Sequence, residues 1–372
     1  MDGRHQIFDR TIRHYLAPVG EYLDDATVTE VMINRSDEIF IERHGELTRT
    51  AARFADAESY EAAVNNILQF TGKSALDNQP LIDSRLPDGS RVHIARTPCA
   101  RHGTVMTIRK FAKATLDMDW LVELGSLTEQ ARQYLTIAVR AEQNLLVAGG
   151  TSSGKTSLLN ALSTYVPADQ RIVVIEDSAE LQLQKEHLIS LESRLPDRYG
   201  RGAVGIRELF RSSLRLRPDR IIIGEVRGGE ALDMIQAMTS GHGGSMGTLH
   251  ADNPRDALSR LETMAMMSQV ELPLHALRAQ ISSAIDVIVQ MTRHVGGQRR
   301  VTQISEVEPL GDDGQYRLRD IFNIQEVDGE DSQNSMQLTW TSERSGFGMY
   351  LRPEERALVT ELTGPIMESR PQ

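Results

Sequence analysis

The sequence has a single cysteine, Cys99, among its 372 residues. No intrachain disulfide can form, and no multi-cysteine zinc site can be built within the chain. A reducing compartment is the simplest expectation. Long apolar runs are missing too: none approaches the roughly 18 residues that a membrane span requires. The opening residues, Met1-Asp2-Gly3-Arg4-His5-Gln6, lack the apolar core of a signal peptide. Basic residues are in deficit, with Lys and Arg at 41 against Asp and Glu at 52, a net charge of −11. That balance argues against a general nucleic-acid-binding surface and leaves room only for a local basic patch. No internal repeat is found. The expectation is a cytoplasmic protein whose link to a membrane runs through a partner. With 40% hydrophobic and 25% charged residues the composition is that of an ordinary globular protein. The length suggests two or three domains.

What is present is most concentrated at residues 149–156, Gly-Gly-Thr-Ser-Ser-Gly-Lys-Thr. This run satisfies the phosphate-binding pattern G-x-x-x-x-G-K-[ST] at every fixed position. An apolar run, Asn144–Ala148, precedes it, and helix-compatible spacing over Ser157–Leu162 follows. Strand, glycine loop and helix is the context the pattern needs. Gly149, Gly150, Thr151, Ser152, Ser153 and Gly154 would turn their N–H groups toward phosphates, at a helix N-terminus that adds partial positive charge. Lys155 would reach the β- and γ-phosphates of ATP. The Thr156 hydroxyl would hold Mg²⁺, and Ser157 would close the binding run.

The first part of the chain reads as an α+β domain over residues 1–111. Residues 1–24 are expected to be helical. Strands are expected at Glu30–Asn34, Glu38–Glu42, Leu81–Leu86, Arg91–Ala95 and Thr104–Ile108, and residues 56–71 have helical spacing. Residues 112–127 read as a linker with one short helix. Over 128–372 helices alternate with short apolar strands at Leu145–Ala148, Ile172–Ile175, Ile189–Leu191, Ile221–Ile223 and Ser245–Leu249. Such alternation predicts an α/β domain with a mainly parallel sheet covered on both faces. Asp286–Met291, Val301–Val307 and Tyr316–Phe322 suggest a small C-terminal β appendix, and Val327–Gln333 an acidic loop.

Three further segments carry chemistry. Ile221-Ile222-Ile223-Gly224-Glu225 is an apolar strand ending in an acid, where an ATPase needs a carboxylate to activate the attacking water. The usual Asp-Glu pair is absent, and Gly224-Glu225 stands in its place. Glu176, Asp177 and Glu180 follow another core strand. Glu176, closest to the strand, is the candidate for the metal side, whereas Asp177 and Glu180 fit simple capping or surface acids as well. His242 and His250 bracket a glycine-rich turn and a strand. His250 could donate a hydrogen bond to a γ-phosphate, although a buried histidine satisfied by its surroundings is the commoner case. Arginines crowd the segment before Glu225 (Arg207, Arg211, Arg215, Arg217, Arg220), and Arg227 follows it. A solvated basic face accounts for most of them.

Together these blocks resemble the secretion-ATPase superfamily of type II and type IV systems, which carries a P-loop, an acidic box, a Walker B strand ending in Gly-Glu and a histidine box in this order. The resemblance is nearest to the CpaF-like ATPases of tight-adherence (Tad/Flp) pilus assembly. It rests on Glu30–Asn34, Leu86–Val92, Thr107–Phe111, Leu214–Arg227, Gly241–Asn253 and Gln280–Gln290, and runs over about residues 20–310. It implies a RecA-like P-loop motor domain with a parallel-sheet core, preceded by a smaller α+β N-terminal domain. Such proteins are hexameric rings that work with inner-membrane platform proteins, with nucleotide between the two domains. By this similarity Lys155 and Thr156 are nucleotide and Mg²⁺ ligands, Glu225 the Walker B glutamate, Glu176 the acidic-box glutamate and His250 the histidine-box residue. Arg91 and Arg109 match N-terminal-domain arginines that approach the nucleotide. Ser152 departs from the pattern: the family usually has glycine there, and a Cβ at positive φ costs about 1 kcal/mol. The expected function is a cytoplasmic ATPase, held peripherally at the inner membrane, that drives pilus assembly or protein secretion. A conjugation or type IV secretion ATPase is the alternative. A nucleic-acid translocase is disfavoured by the charge, and no dedicated nucleic-acid surface is expected. A non-hydrolysing nucleotide-gated scaffold is weighed against by the near-complete set of acids.

Overall fold

A computed structural model describes residues 10–70, 80–111, 117–194, 196, 201–294, 296–327, 335–343, 345–346 and 353–363. The chain divides into two compact units, Met1–Ala114 and Thr115–Gln372.

In the first unit, α1 (10–15), a 3₁₀ turn (Ala17–Val19) and α2 (Gly20–Asp24) lead into β1 (Val28–Arg35), β2 (Glu38–Arg43) and β3 (Glu46–Arg49). His44 and Gly45 both take positive φ, 51° and 83°, as a two-residue hairpin between β2 and β3 requires. Helix α3 (Ala57–Phe70) is followed by β4 (Leu81–Arg85), β5 (Arg91–Ala95) and β6 (Val105–Arg109). The six strands form one antiparallel sheet in the order β3-β2-β1-β6-β5-β4. Alternation decides which face is covered: Val31, Ile33, Val92, Ile94, Met106 and Ile108 are buried in one cluster with Tyr60, Ala63, Val64, Ile67 and Leu68 of α3. This is the expected α+β arrangement. Residues 1–9 of the expected helical lead-in lie outside the described residues.

Residues 117–127 hold the expected short helix and pack against the second unit. Asp117 caps helix α4 (Met118–Glu123) by accepting the Trp120 N–H at 2.8 Å. Met118, Leu121 and Leu127 are buried in the core of the second unit. Their apolar spacing is too short to signal burial on its own. Residues 112–116 lie outside the described residues.

The second unit continues through α5 (Glu129–Arg140), β7 (Leu145–Gly149), α6 (Lys155–Ser163), β8 (Ile172–Glu176), β9 (Leu188–Glu192), α7 (Ile206–Ser213), β10 (Arg220–Ile223), α8 (Glu230–Met238), β11 (Met246–Leu249), α9 (Pro254–Met266) and α10 (Leu274–Ala284). Strands β12 (Val287–Arg293), β13 (Arg299–Glu308), β14 (Arg317–Val327) and β15 (Ser335–Trp340), then α11 (Pro353–Thr363), complete it. Nine strands make one sheet, ordered β15-β14-β13-β12-β7-β11-β10-β8-β9. The joins from β12 through β9 are parallel, and β12 to β15 are antiparallel. The expected β appendix is therefore an extension of the central sheet itself. β15 and α11 lie beyond the elements expected from sequence, and residues 328–333 of the expected acidic loop fall outside the described residues.

The two faces separate along each central strand. Leu145, Val147, Ile172 and Val174 belong to the core that holds Leu158 and Leu159 of α6. Leu146, Ala148, Val173 and Ile175 belong to the core formed with α7 to α10. Strands buried on both faces read as continuous apolar runs, as these do.

At the N-terminal end of β10 the guanidinium of Arg220 is wholly buried. It donates to Gln170 Oε1 at 2.7 Å and to the Val139 carbonyl at 3.0 Å. Gly244, at φ +72°, lies against it, and a Cβ there would sit 1.3 Å from Nη1. Gly244→Ala is expected to destabilise the protein by about 2–4 kcal/mol, combining about 1 kcal/mol for the left-handed backbone with about 1–3 kcal/mol for overpacking. Gly243, whose added Cβ would meet its nearest atom at an ordinary 3.5 Å, is the control. Thermal denaturation of the two alanine variants checks this: equal midpoints would show that the Arg220 contact carries no stability.

Candidate functional site

The site is built at the C-terminal ends of β7, β11, β10 and β8, where a parallel sheet presents its loops. β7 ends at Gly149, and the loop delivers Lys155 to the first position of α6. Gly149 has no room for a side chain: a Cβ would lie 2.4 Å from the Met291 carbonyl oxygen of neighbouring β12. Gly154, at φ 98° and ψ 14°, makes the left-handed turn that starts the helix. Ser152 has φ 56°, so the cost of a Cβ at this position is incurred. The Arg299 Nε–H donates to the Ser152 carbonyl at 3.0 Å and braces the loop from β13.

Lys155 is buried. Its ammonium donates to the carbonyls of Gly149 at 3.0 Å and Gly150 at 2.8 Å, and lies 3.4 Å from His250 Nδ1. The opposite ring nitrogen, His250 Nε2, is 2.9 Å from Glu225 Oε1. Burial and the Lys155 charge hold the His250 pKa below its ordinary value, so the neutral ring is favoured. In that form Nδ1 accepts from Lys155 and Nε2–H donates to Glu225, the tautomer both neighbours call for. The second Glu225 oxygen accepts from Arg227 Nη2, whose guanidinium also faces Asp177 at 3.5 Å. Burial pushes the Glu225 carboxyl up, but the Arg227 hydrogen bond and charge, together with the fields of His250 and Lys155, hold the carboxyl below its ordinary value.

The register explains why Gly224 stands where an aspartate is usual. β10 pairs with β8 so that Ile223 lies beside Ile175, which sets Gly224 beside Glu176. An added Cβ on Gly224 would approach Glu176 Cγ to 2.8 Å. The buried Glu176 side chain fills the space an aspartate would take. Its Oε1 accepts the N–H groups of Glu180 and Leu181 at 2.9 and 3.0 Å.

The family described as "Type II/IV secretion system protein" matches residues 13–337. The chain belongs to that family. It is 35% identical over 291 residues to the conjugal transfer protein TrbB of Rhizobium radiobacter, covering 77% of this chain and 85% of that protein. It is 32% identical over 323 residues to the type IV secretion system protein VirB11 of Brucella suis, covering 79% and 90%. The solved structure of the ATPase DotB of Legionella pneumophila superposes with a TM-score of 0.55 at 18% identity over 82% of each chain, which speaks for the fold. The resemblance to the secretion-ATPase superfamily holds. The curated relatives carry conjugal-transfer and type IV secretion names, so they favour the alternative reading over tight-adherence pilus assembly.

The structure brings Lys155, His250, Glu225 and Glu176 to one edge of the sheet. His242 lies before β11 and His250 after it, so the two histidines sit at opposite ends of that strand. Thr156 and Ser157 are half-buried at the start of α6. Arg91 and Arg109 lie in the first unit, directly opposite one another on β5 and β6, with Glu30 of β1 opposite Arg109. Of the arginine-rich segment, Arg207 and Arg211 are paired with Asp233 at 2.6 and 2.9 Å, and Arg220 is buried structure. Arg227, grouped with the basic face in the sequence, is instead bound to Glu225. Its position two residues past a strand-end acid was the available signal.

Gly224→Ala is expected to force Glu176 out of its hydrogen bonds and to destabilise the protein by about 1–3 kcal/mol, as overpacking does. A denaturation midpoint equal to that of the unaltered protein would show that Glu176 shifts freely.

Proposed function

We propose that this protein is a P-loop ATPase that powers a macromolecular transfer machine of the conjugal-transfer or type IV secretion class. The observation that carries the reading is the direct link from the phosphate-loop lysine, through His250, to the strand-end carboxylate Glu225. The relatives TrbB and VirB11 support the class of machine. Tight-adherence pilus assembly is the second reading, favoured by the sequence blocks around Leu214–Arg227.

The residues fit ATP and Mg²⁺. The Gly149–Gly154 loop curls with no space for side chains at Gly149, and Lys155 is satisfied by loop carbonyls that phosphate oxygens can replace. Thr156 and Glu176 are the residues that would hold Mg²⁺, which neutralises phosphate charge when bound. Glu225, ionised at neutral pH and paired with Arg227, acts as general base toward the attacking water. His250 stays neutral and links that base to Lys155. Arg91 and Arg109 are proposed, from the family resemblance, as cations for the transferring phosphoryl group. Among the described residues no helix is long and apolar enough to cross a membrane. We place the protein on the cytoplasmic side of the inner membrane as a homohexamer held by membrane partners.

Lys155→Ala should abolish turnover and weaken nucleotide binding, since it removes the loop's cation. Glu225→Gln should keep ATP binding and lose turnover by about 10²-fold or more, the range for a lost general base. Glu176→Gln should alter Mg²⁺ dependence more than nucleotide affinity. Steady-state turnover and nucleotide titration of the purified variants decide it: near-normal turnover of Lys155→Ala sinks the assignment. If Glu176→Gln alone stops turnover, the two carboxylate roles are reversed.

Assembly has its own test. A ring built from heterologous contacts makes each subunit depend on a neighbour. Specific activity should rise with protein concentration across the assembly range, and Arg109→Ala should assemble and bind ATP but turn over slowly. Light scattering paired with activity measures both. Full activity in a monomer would refute the ring requirement.

A further inference from the structure

We propose that Arg227 is a positioning residue for Glu225, orienting the catalytic carboxylate from a mount fixed at three points. It rests on the reading of Glu225 as the base. The backbone of Arg227 is held before its side chain is considered. The buried carboxylate of Glu230, at the start of α8, accepts the N–H groups of Arg227 and Gly228 at 2.7 and 2.8 Å. One residue earlier, the Val226 N–H donates to the Thr248 carbonyl of β11 at 2.8 Å. The guanidinium is then anchored at its far side by Asp177, 3.5 Å away at the tip of β8. What remains is aimed at Glu225 Oε2. The sequence Glu225-Val226-Arg227 thus turns back on itself, so that an arginine two residues later clasps the acid from the side away from His250.

The arrangement has a chemical consequence. A carboxylate on a flexible two-carbon stem takes many rotamers, and only a narrow set aims one oxygen at an attacking water. Arg227 occupies Oε2 and leaves Oε1 on the His250 side, toward Lys155. A planar guanidinium does this better than an ammonium, because its donors form a rigid fork. A solvent-facing groove of about 450 Å³ runs alongside, lined by Glu225, Arg227, His250, Arg260, Met264 and Met267. Among the described residues it is Arg227 that holds Oε2, and without the clasp the carboxylate can swing into that groove.

The test compares Arg227→Gln, Arg227→Lys, Glu225→Gln and the Glu225→Gln/Arg227→Gln double variant as full-length proteins, by ATP turnover and nucleotide titration. Arg227→Gln should lower kcat by about 10–100-fold, the range for an outer partner of a reactive group, with KM and nucleotide affinity unchanged within about twofold. Arg227→Lys, which keeps the charge, should recover part of that loss. In the Glu225→Gln background the Arg227→Gln change should have no further effect, because the group it orients is gone. An equal loss in both backgrounds, or a rise in KM matching the fall in kcat, would show a structural or binding role and overturn the proposal. If Glu225→Gln is inactive and Arg227→Gln turns over normally, the base assignment stands and the positioning role alone falls. If Glu225→Gln turns over normally, the base reading fails on that measurement and the proposal falls with it.

Discussion

One imidazole lies between the two groups on which this site depends. His250 receives the Lys155 ammonium on one nitrogen and presents the other to Glu225. The arrangement exists because parallel strands fix where each side chain ends. β11 pairs with β7 so that Leu249 lies beside Ala148, and with β10 so that Gly247 lies beside Ile223. A slip of one residue in either pairing would turn the side chains to the opposite face. The apolar runs of β7, β8, β10 and β11 are buried on both faces, so register is specified twice. The chemistry at the sheet edge is thus set by packing several residues back.

The same edge shows how burial and charge are balanced. Lys155, Glu176 and Glu230 are buried charged groups. Isolated, each would carry a large desolvation cost. Each is met by groups at hydrogen-bonding distance. Lys155 has two loop carbonyls, Glu176 has two backbone N–H groups, and Glu230 has two more. Backbone partners cost no side-chain entropy, so these charges sit in fixed places. The half-buried Glu225 and the exposed Arg227 pair with each other instead.

Much of this was legible in the sequence because it lies in contiguous segments. The loop 149–156, the strand ending at Glu225 and the acid after Ile175 each declare themselves by local pattern. What was not legible is what pattern cannot encode. The strands from Asp286 onward have the turns and alternation of a separate β element, and nothing in their order says that β12 pairs with β7. Residues 117–127 are rich in apolar side chains, but their order does not say which are covered: Met118, Leu121 and Leu127 are buried while Trp120 and Leu124 are exposed. Gly224 looked like a degenerate position, and its meaning is a neighbour forty-eight residues earlier, the Glu176 side chain. Arg227 was hidden among other arginines, since its partner is decided by the turn of the chain and by the backbone anchors on Glu230.

The lysine's partners in the ligand-free chain carry the last step. The Gly149 and Gly150 carbonyls are placeholders, because a phosphate oxygen competes for the same ammonium protons with a full negative charge. When phosphate takes those protons, the neutral His250 ring still offers Nδ1 to Lys155 and Nε2–H to Glu225. Burial, the largest cause of the lowered His250 pKa, is not relieved by a bound phosphate, so the ring keeps that neutral form. Lys155 and Glu225 are thereby tied across a single side chain, with Arg227 on the other oxygen of the carboxylate. The two contacts on Glu225 come from different places in the chain, His250 from the tip of β11 and Arg227 from the turn after β10.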